Sequence, residues 1–133
     1  VVDKVVEVLK QAGVCIDGAR VLLIGIAYKS NVDDDRESPG YVLWQMLEDQ
    51  GVVVAYHDPH VPVIRPSREH SHLAGRASLE LSAESVADHD LVLVATHHEA
   101  VDWELIALHA SRVVDTRNAL AARMRGLANY FKA

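Results

Sequence analysis

The residues best suited to chemistry are three cations, Lys29, Arg36 and Arg117. The first two belong to the charged segment AYKSNVDDDRESPG at residues 27–40, which begins where an apolar run ends. Arginine offers phosphate oxygens a planar fork of donors and lysine offers a point charge, so the three cations together suit a di- or triphosphate-like ligand. The alternative is that each cation forms a solvated ion pair with a nearby acid such as Asp34. The residue types leave both interpretations open.

Polar residues follow three of the predicted strands, at the point where each strand ends. Tyr28 and Lys29 follow the first strand, residues 96–99 follow the third, and a segment that includes Arg117 and Asn118 follows the fourth. Open parallel sheets bind ligands beyond the carboxyl ends of their strands, and these ends share one edge of the sheet. We therefore expect the three cations to meet at that edge.

Strand and helix patterns alternate along the chain. Apolar runs predict strands at about 20–27, 52–58, 90–96 and 112–116. Helical spacing or capping signals predict helices at 1–12, from Pro39 to 50, after Ser82, and after Asp102. The pattern is typical of an α/β fold with a Rossmann-like parallel sheet of about four or more strands, helices on both faces and the first strand central. Residues 59–77 are predicted to form an irregular loop, and residues 121–133 remain unassigned.

Composition narrows the class of protein. A chain of 133 residues, 50% of them hydrophobic, fits one globular domain. The net charge of −6 argues against a general nucleic-acid binder, and the longest apolar run, 21–28, is too short for a membrane segment. Cys15 is the only cysteine, which excludes an internal disulfide and fits a reducing cytoplasm. We expect it to be partly buried and not a nucleophile.

Two kinds of ligand site are not expected within this chain. The turn after the first strand, GIAYKS, has no GxGxxG, so it lacks the pyrophosphate cradle of a complete NAD site. The histidines lack the HxxxH spacing or cysteine partners of common metal sites, so no metal site is predicted. A phosphoryl receiver is a weak alternative, because the third strand is followed by Thr96-His97-His98 and no acceptor aspartate.

Four motifs in order give a specific resemblance. GIAYKSNVDDDRESPG, YHDPHVP, DLVLVATHHEAVDW and VVDTRNAL resemble the C-terminal domain of the UDP-glucose/GDP-mannose dehydrogenase family, over about residues 20–120. Members of this family oxidise the C6 hydroxymethyl of a nucleotide sugar to a carboxylate in two NAD-dependent steps. The motif combination looks most like the branch that acts on UDP-N-acetylhexosamines (UDP-GlcNAc or UDP-ManNAc), with UDP-glucose as the second choice.

The resemblance implies roles for five residues. Tyr28 and Lys29, at the family's [FY]K pair, are expected to contact the UDP-sugar substrate. Arg117, in DTRN, is expected to bind the uridine diphosphate portion, with Asn118 at the place where some relatives carry a second arginine. Arg36, in the D-x-RES element, is expected to reach the pyrophosphate of NAD from across an interdomain cleft.

The resemblance also implies a domain organisation. Residues 1–13 are expected to be the end of a central linker helix and residues 14–133 the C-terminal UDP-sugar-binding domain, without the N-terminal domain that binds NAD and carries the catalytic cysteine. No catalytic residue is therefore expected here. Expected partners are that N-terminal domain and a second subunit, in a cytoplasmic homodimer or larger assembly. The apolar face of residues 1–12 is expected to be exposed and to promote association. The alternative is a free-standing, non-catalytic nucleotide-binding or interaction module.

Overall fold

Strands and helices alternate through the part of the chain that the computed structural model describes, residues 1–26, 39–66 and 71–133. The strands are β1 (Arg20–Ile24), β2 (Val53–His57), β3 (Leu91–Val94), β4 (Val113–Asp115) and β5 (Tyr130–Lys132). The helices are α1 (Val2–Gln11), α2 (Pro39–Asp49), α3 (Ala83–Ala87), α4 (Trp103–His109) and α5 (Ala121–Met124), with a 3-10 turn at Ser71–Leu73. The predicted alternation is confirmed, and each predicted strand is found at its expected place.

The described strands form one parallel sheet in the order β2-β1-β3-β4-β5. The predicted α/β class and the parallel Rossmann-like sheet are therefore confirmed. The prediction that the first strand is central is wrong, because β3 occupies the middle and β1 lies one position away. The difference comes from β5, which forms from the unassigned C-terminal residues and extends the sheet beyond β4.

The helix boundaries follow local signals in the sequence. Pro39 is the first residue of α2, where its missing N–H costs no hydrogen bond; the predicted cap Ser38 lies outside the described residues. The hydroxyl of Ser82 accepts a hydrogen bond from the backbone N–H of Ser85 and caps α3. The carboxylate of Asp102 accepts from the N–H of Leu105 and caps α4. These two caps confirm the predicted helix starts.

Helices cover both faces of the sheet, as predicted. Side chains of β1 alternate between two cores: Val21 and Leu23 point to one, and Leu22 and Ile24 to the other. The first core takes residues of α1 and α2, among them Val5, Leu9, Trp44 and Leu47. The second takes residues of α3, α4 and α5, namely Val86, Trp103, Ile106 and Met124. The continuous apolar run of β1 is thus buried on both sides, which is what its lack of polar alternation predicts.

The prediction that α1 exposes an apolar face is wrong. Val2, Val5, Val8 and Leu9 are 6%, 0%, 2% and 0% exposed, because α1 packs on the sheet of the same chain and contacts α2 and β3. The assignment of residues 1–13 to a linker helix stays a prediction.

Cys15 is exposed, contrary to the expected partial burial, since it lies in the turn between α1 and β1.

The loop after β2 is irregular where it is described, as predicted. A single antiparallel bridge joins Val63 to Ala77, and the N–H of Leu79 donates a hydrogen bond to the carbonyl of Tyr56 in β2.

None of the helices in the described ranges has the length and apolarity needed to cross a membrane.

Candidate functional site

The candidate site lies at the carboxyl edge of the sheet, around the ends of β1, β3 and β4. Of the predicted ligand residues, Arg117 and Asn118 follow β4 at this edge. Tyr28, Lys29 and Arg36 fall within residues 27–38 and lie outside the described residues, so the predicted meeting of three cations stays a prediction.

The loop after β4 is organised by the buried carboxylate of Asp115. Its Oδ1 accepts the backbone N–H of Arg117 at 2.9 Å, and its Oδ2 accepts the N–H of Leu120 at 2.9 Å. The hydroxyl of Tyr130 in β5 donates to the same Oδ2 at 2.8 Å. A fully buried carboxylate is tolerated because three donors satisfy it. Asp115 therefore fixes the turn that carries Arg117.

The side chain of Arg117 lies across the end of β3. Its Nε donates to the carbonyl oxygen of Ala95 at 3.0 Å, while the neighbouring Thr116 hydroxyl donates to the carbonyl of Val94 at 2.7 Å. Among the described residues, no carboxylate forms an ion pair with Arg117. The acids of the predicted ion-pair alternative, such as Asp34, lie outside the described residues, so that alternative stays open; within the described part of the chain, the guanidinium uses only its Nε–H in a hydrogen bond.

Asn118, the second predicted ligand residue after β4, is exposed and has a φ of 59°. Asparagine is among the few residues other than glycine that adopt this left-handed conformation readily. The structure thus gives Asn118 a backbone role in the turn, and its contact with a ligand stays a prediction.

A cavity of about 510 Å³ opens beside Arg117. Its lining is mostly apolar and comes from the start of α1, the start of α2 and the ends of β3 and β4: Val1, Pro39, Val42, Leu43, Ala95, Thr116 and Arg117. A volume of this order with apolar walls and few polar groups is usual for small-molecule sites. The arrangement can hold an apolar or aromatic ring against the walls and an anionic group at the guanidinium.

Burial and Asp115 together change the acidity of Tyr130. Burial, the hydrogen bond to the Asp115 carboxylate and the negative charge of that carboxylate together raise the pKa of Tyr130 from its ordinary 10 to about 12. Because folding favours the protonated phenol, this contribution to stability is present below pH 10 and is lost as the pH rises through about 12.

Replacing Asp115 with asparagine is expected to lower the free energy of unfolding by about 1 to 3 kcal/mol, because the single amide oxygen cannot accept from both loop N–H groups. The pKa of Tyr130 should fall from about 12 toward 10, with the part due to burial retained. Urea unfolding and ultraviolet titration of the tyrosines measure the two effects, and Tyr130→Phe identifies the titrating ring. Asp102→Asn is the control, since asparagine caps a helix as well as aspartate does. An Asp115→Asn protein with unchanged stability would contradict this account.

Sequence reasoning missed a buried pair at the same edge, Asp58 and His98. Both side chains are fully buried, and His98 Nε2 lies 2.9 Å from Asp58 Oδ2. That Oδ2 also accepts the N–H of Ile26 at 2.8 Å, and Oδ1 accepts the N–H of His60 at 2.8 Å. The rule that selected Arg117 also places residues 96–99, and therefore His98, at this edge, but neither strand alone signals that His98 pairs with Asp58.

Of the other histidines near this edge, His57 has a hydrogen-bond partner, whereas the buried Nε2 of His60 has none in the described part of the structure. Burial lowers the pKa of His57 below its ordinary 6.5, and Nδ1 lies 2.7 Å from the carbonyl oxygen of Leu79. The rings of His60 and His98 lie 4.6 Å apart between centroids. Across the described ranges, no group of three or more His, Cys, Asp or Glu side chains is placed to hold a metal ion.

Comparison with known sequences identifies relatives across most of the chain. Residues 22–122 match the model of the UDP-glucose/GDP-mannose dehydrogenase family, UDP binding domain. A UDP-glucose 6-dehydrogenase of Haloferax volcanii is 31% identical over 111 residues, which cover 81% of this chain and 25% of that protein. A UDP-N-acetyl-D-mannosamine dehydrogenase of Methanocaldococcus jannaschii is 30% identical over 129 residues, 90% of this chain and 26% of that protein. The chain spans about a quarter of the length of these curated relatives.

Solved structures show the same fold. The NDP-N-acetyl-D-galactosaminuronic acid dehydrogenase from Methanosarcina mazei superposes with a TM-score of 0.72 at 22% identity, covering 97% of this chain and 27% of that chain. At this identity the likeness concerns the fold alone, whereas the family model matches the sequence itself. The chain therefore belongs to the UDP-glucose/GDP-mannose dehydrogenase family, in which it represents the UDP binding domain.

Proposed function

We propose that this chain is the nucleotide-sugar-binding C-terminal domain of a longer, NAD-dependent UDP-sugar 6-dehydrogenase. The reaction converts the C6 hydroxymethyl of the sugar to a carboxylate through two hydride transfers to NAD. In the proposed mechanism a cysteine captures the intermediate aldehyde as a thiohemiacetal, whose oxidation gives a thioester that water hydrolyses. The cysteine belongs to the proposed N-terminal domain, and Cys15, which precedes β1, does not match the motif of that nucleophile, so this chain alone is not expected to turn over.

The observation that carries the proposal is Arg117 beside the cavity at the carboxyl edge of the sheet. The guanidinium is anchored on Ala95, and Asp115 fixes the backbone below it. A uridine diphosphate needs an apolar surface for its base and cationic donors for its phosphates, and the cavity wall and Arg117 offer both. An arginine that is already held in place loses less conformational freedom when it binds.

The other ligand contacts in the proposal rest on the family motifs. Tyr28 and Lys29 would contact the UDP-sugar together with Arg117 and Asn118, and Arg36 would reach the pyrophosphate of NAD. A UDP-N-acetylhexosamine is the preferred substrate and UDP-glucose the alternative. The relatives include both kinds of dehydrogenase, which agrees with either choice. Assembly as a homodimer or larger, in the cytoplasm, is part of the same proposal.

The described residues do not form a dinucleotide cradle of their own. In such a cradle, free N–H groups at the first strand-to-helix turn hold the pyrophosphate. Here the N–H of Ile26 is bonded to Asp58, and α2 begins at Pro39, which has no N–H. In the proposal, NAD is held mainly by the N-terminal domain, as the family motifs imply.

Isothermal titration calorimetry with UDP tests the proposal. We expect saturable binding of UDP, weaker binding of UMP and negligible binding of uridine, because the phosphates are expected to meet the cations. Inorganic phosphate at matched ionic strength controls for nonspecific anion binding. Heat that does not saturate with UDP at millimolar concentration, from a protein shown to be folded by circular dichroism, would contradict the proposal.

A further inference from the structure

The end of β1 is held by neighbouring strands on both sides. On the β2 side, the N–H of Gly25 donates to the carbonyl of His57 at 2.9 Å, and the next N–H, that of Ile26, donates to Asp58 Oδ2 at 2.8 Å. On the β3 side, the carbonyl of Ile24 accepts the N–H of Ala95 at 2.9 Å. Of these contacts, the one through Asp58 uses a side chain, so it can be changed by substitution.

Asp58 is held in turn by His98. The two side chains are fully buried, and His98 Nε2 lies 2.9 Å from the oxygen that also accepts from Ile26. The backbone of His98 is fixed from the other side, because its carbonyl accepts the indole N–H of Trp103 in α4 at 2.9 Å. A continuous chain of hydrogen bonds therefore runs from α4 through His98 and Asp58 to Ile26.

The end of β1 is also connected to Arg117 by hydrogen bonds. The N–H of Ala95 bonds to Ile24 in β1, and the carbonyl of Ala95 accepts the Nε–H of Arg117 at 3.0 Å. A shift of the β1 end would displace Ala95, and with it the residue on which the guanidinium rests. Packed interiors transmit such shifts because they contain few voids.

We propose that Asp58 and His98 are positioning residues for the nucleotide site: they hold the end of β1 in the register that places Arg117 against the cavity. This inference rests on the proposed function, since the ligand is the UDP portion of the substrate. Neither residue is required to touch that ligand. The pair acts through backbone groups at Ile26 and Ala95.

The test compares UDP dissociation constants for three variants by calorimetry, below the unfolding temperature of each. His98→Leu removes the donor to Asp58 and is expected to weaken UDP binding about five- to tenfold. His98→Gln keeps an N–H donor and is expected to restore the affinity to within about twofold. His89→Leu is the matched control, because His89 is a buried histidine at the opposite end of β3, hydrogen-bonded to the Ser85 carbonyl. It should lose stability but keep the wild-type affinity.

Wild-type affinity in His98→Leu, or an equal loss in His89→Leu, would overturn the proposal. If His98→Leu does not fold, Asp58→Asn is used in its place. This substitution keeps the side-chain volume but leaves one of the donors that contact Asp58, from Ile26, His60 or His98, without an acceptor. Wild-type affinity in that variant would also overturn it.

Hydrogen exchange of the Ile26 amide separates this proposal from the proposed function. Exchange should be faster in His98→Leu than in both the wild type and His98→Gln, whether or not UDP is present. A wild-type protein that does not bind UDP, but shows this exchange pattern, would refute the proposed function and leave the positioning of β1 supported. Unchanged exchange at Ile26 would refute the positioning role even if UDP binds.

Discussion

Replacing Arg117 with alanine is expected to weaken UDP binding about 10- to 100-fold, because charge-assisted hydrogen bonds to phosphate are each worth about 1.5 to 3 kcal/mol. Stability should change little, since the Arg117 side chain is exposed and contributes one hydrogen bond to Ala95. Arg117→Lys should recover part of the affinity, because the charge returns without the planar fork. Calorimetry with UDP measures all three dissociation constants.

Arg123→Ala is the matched control for Arg117→Ala. Arg123 is an exposed arginine in α5, a few residues further along the chain, so its removal changes the net charge equally. If long-range attraction accounted for the binding, both variants would lose affinity by the same factor. An Arg117→Ala protein that binds UDP as tightly as Arg123→Ala would refute the direct phosphate contact.

Replacing Gly25 with alanine is expected to lower the free energy of unfolding by about 2 to 5 kcal/mol, the sum of a conformational and a steric cost. Gly25 has a φ of +86°, where residues with a Cβ are strained. A Cβ at this position would lie 2.4 Å from the Cβ of Thr96, far inside van der Waals contact. Urea unfolding measures the loss.

Gly126→Ala separates the two costs. Gly126 has the same φ of +86°, but a Cβ there would meet no atom within 4 Å. Its substitution should therefore cost only the conformational part, about 1 to 2 kcal/mol. Equal losses of stability in Gly25→Ala and Gly126→Ala would show that the close approach of Gly25 to Thr96 is not the reason for glycine at position 25.

Most of the secondary structure could be predicted because its causes are local. The apolar run of β1 has no polar alternation, and a run of this kind is stable when both faces are covered. Ser82 and Asp102 mark the starts of α3 and α4 through hydrogen bonds to residues three positions later. β5 was not predicted, because Tyr130–Lys132 is a three-residue edge strand whose pairing with β4 is not encoded in any pattern of its own.

The candidate site could be predicted in part. The rule that ligands bind at the carboxyl edge of a parallel sheet selected Arg117, and the structure places it there beside the cavity. The role of Asp115 in fixing the Arg117 turn was not predicted, because its donors include Tyr130 from the unassigned strand. Lys29 and Arg36 lie outside the described residues, so their contacts with the ligands stay predictions.

The parallel α/β class, the positions of β1 to β4 and of α1 to α4, and the family could be predicted from the sequence, because apolar periodicity, helix caps and ordered motifs are properties of neighbouring residues. The order of the strands, the burial of α1 and the pairing of Asp58 with His98 depend instead on how the elements pack. Those two residues are 40 positions apart, and they meet because β2 and β3 lie on either side of β1. Such a contact depends on which elements pack together. It is stabilised only in the assembled sheet, and no single segment of the sequence predicts it.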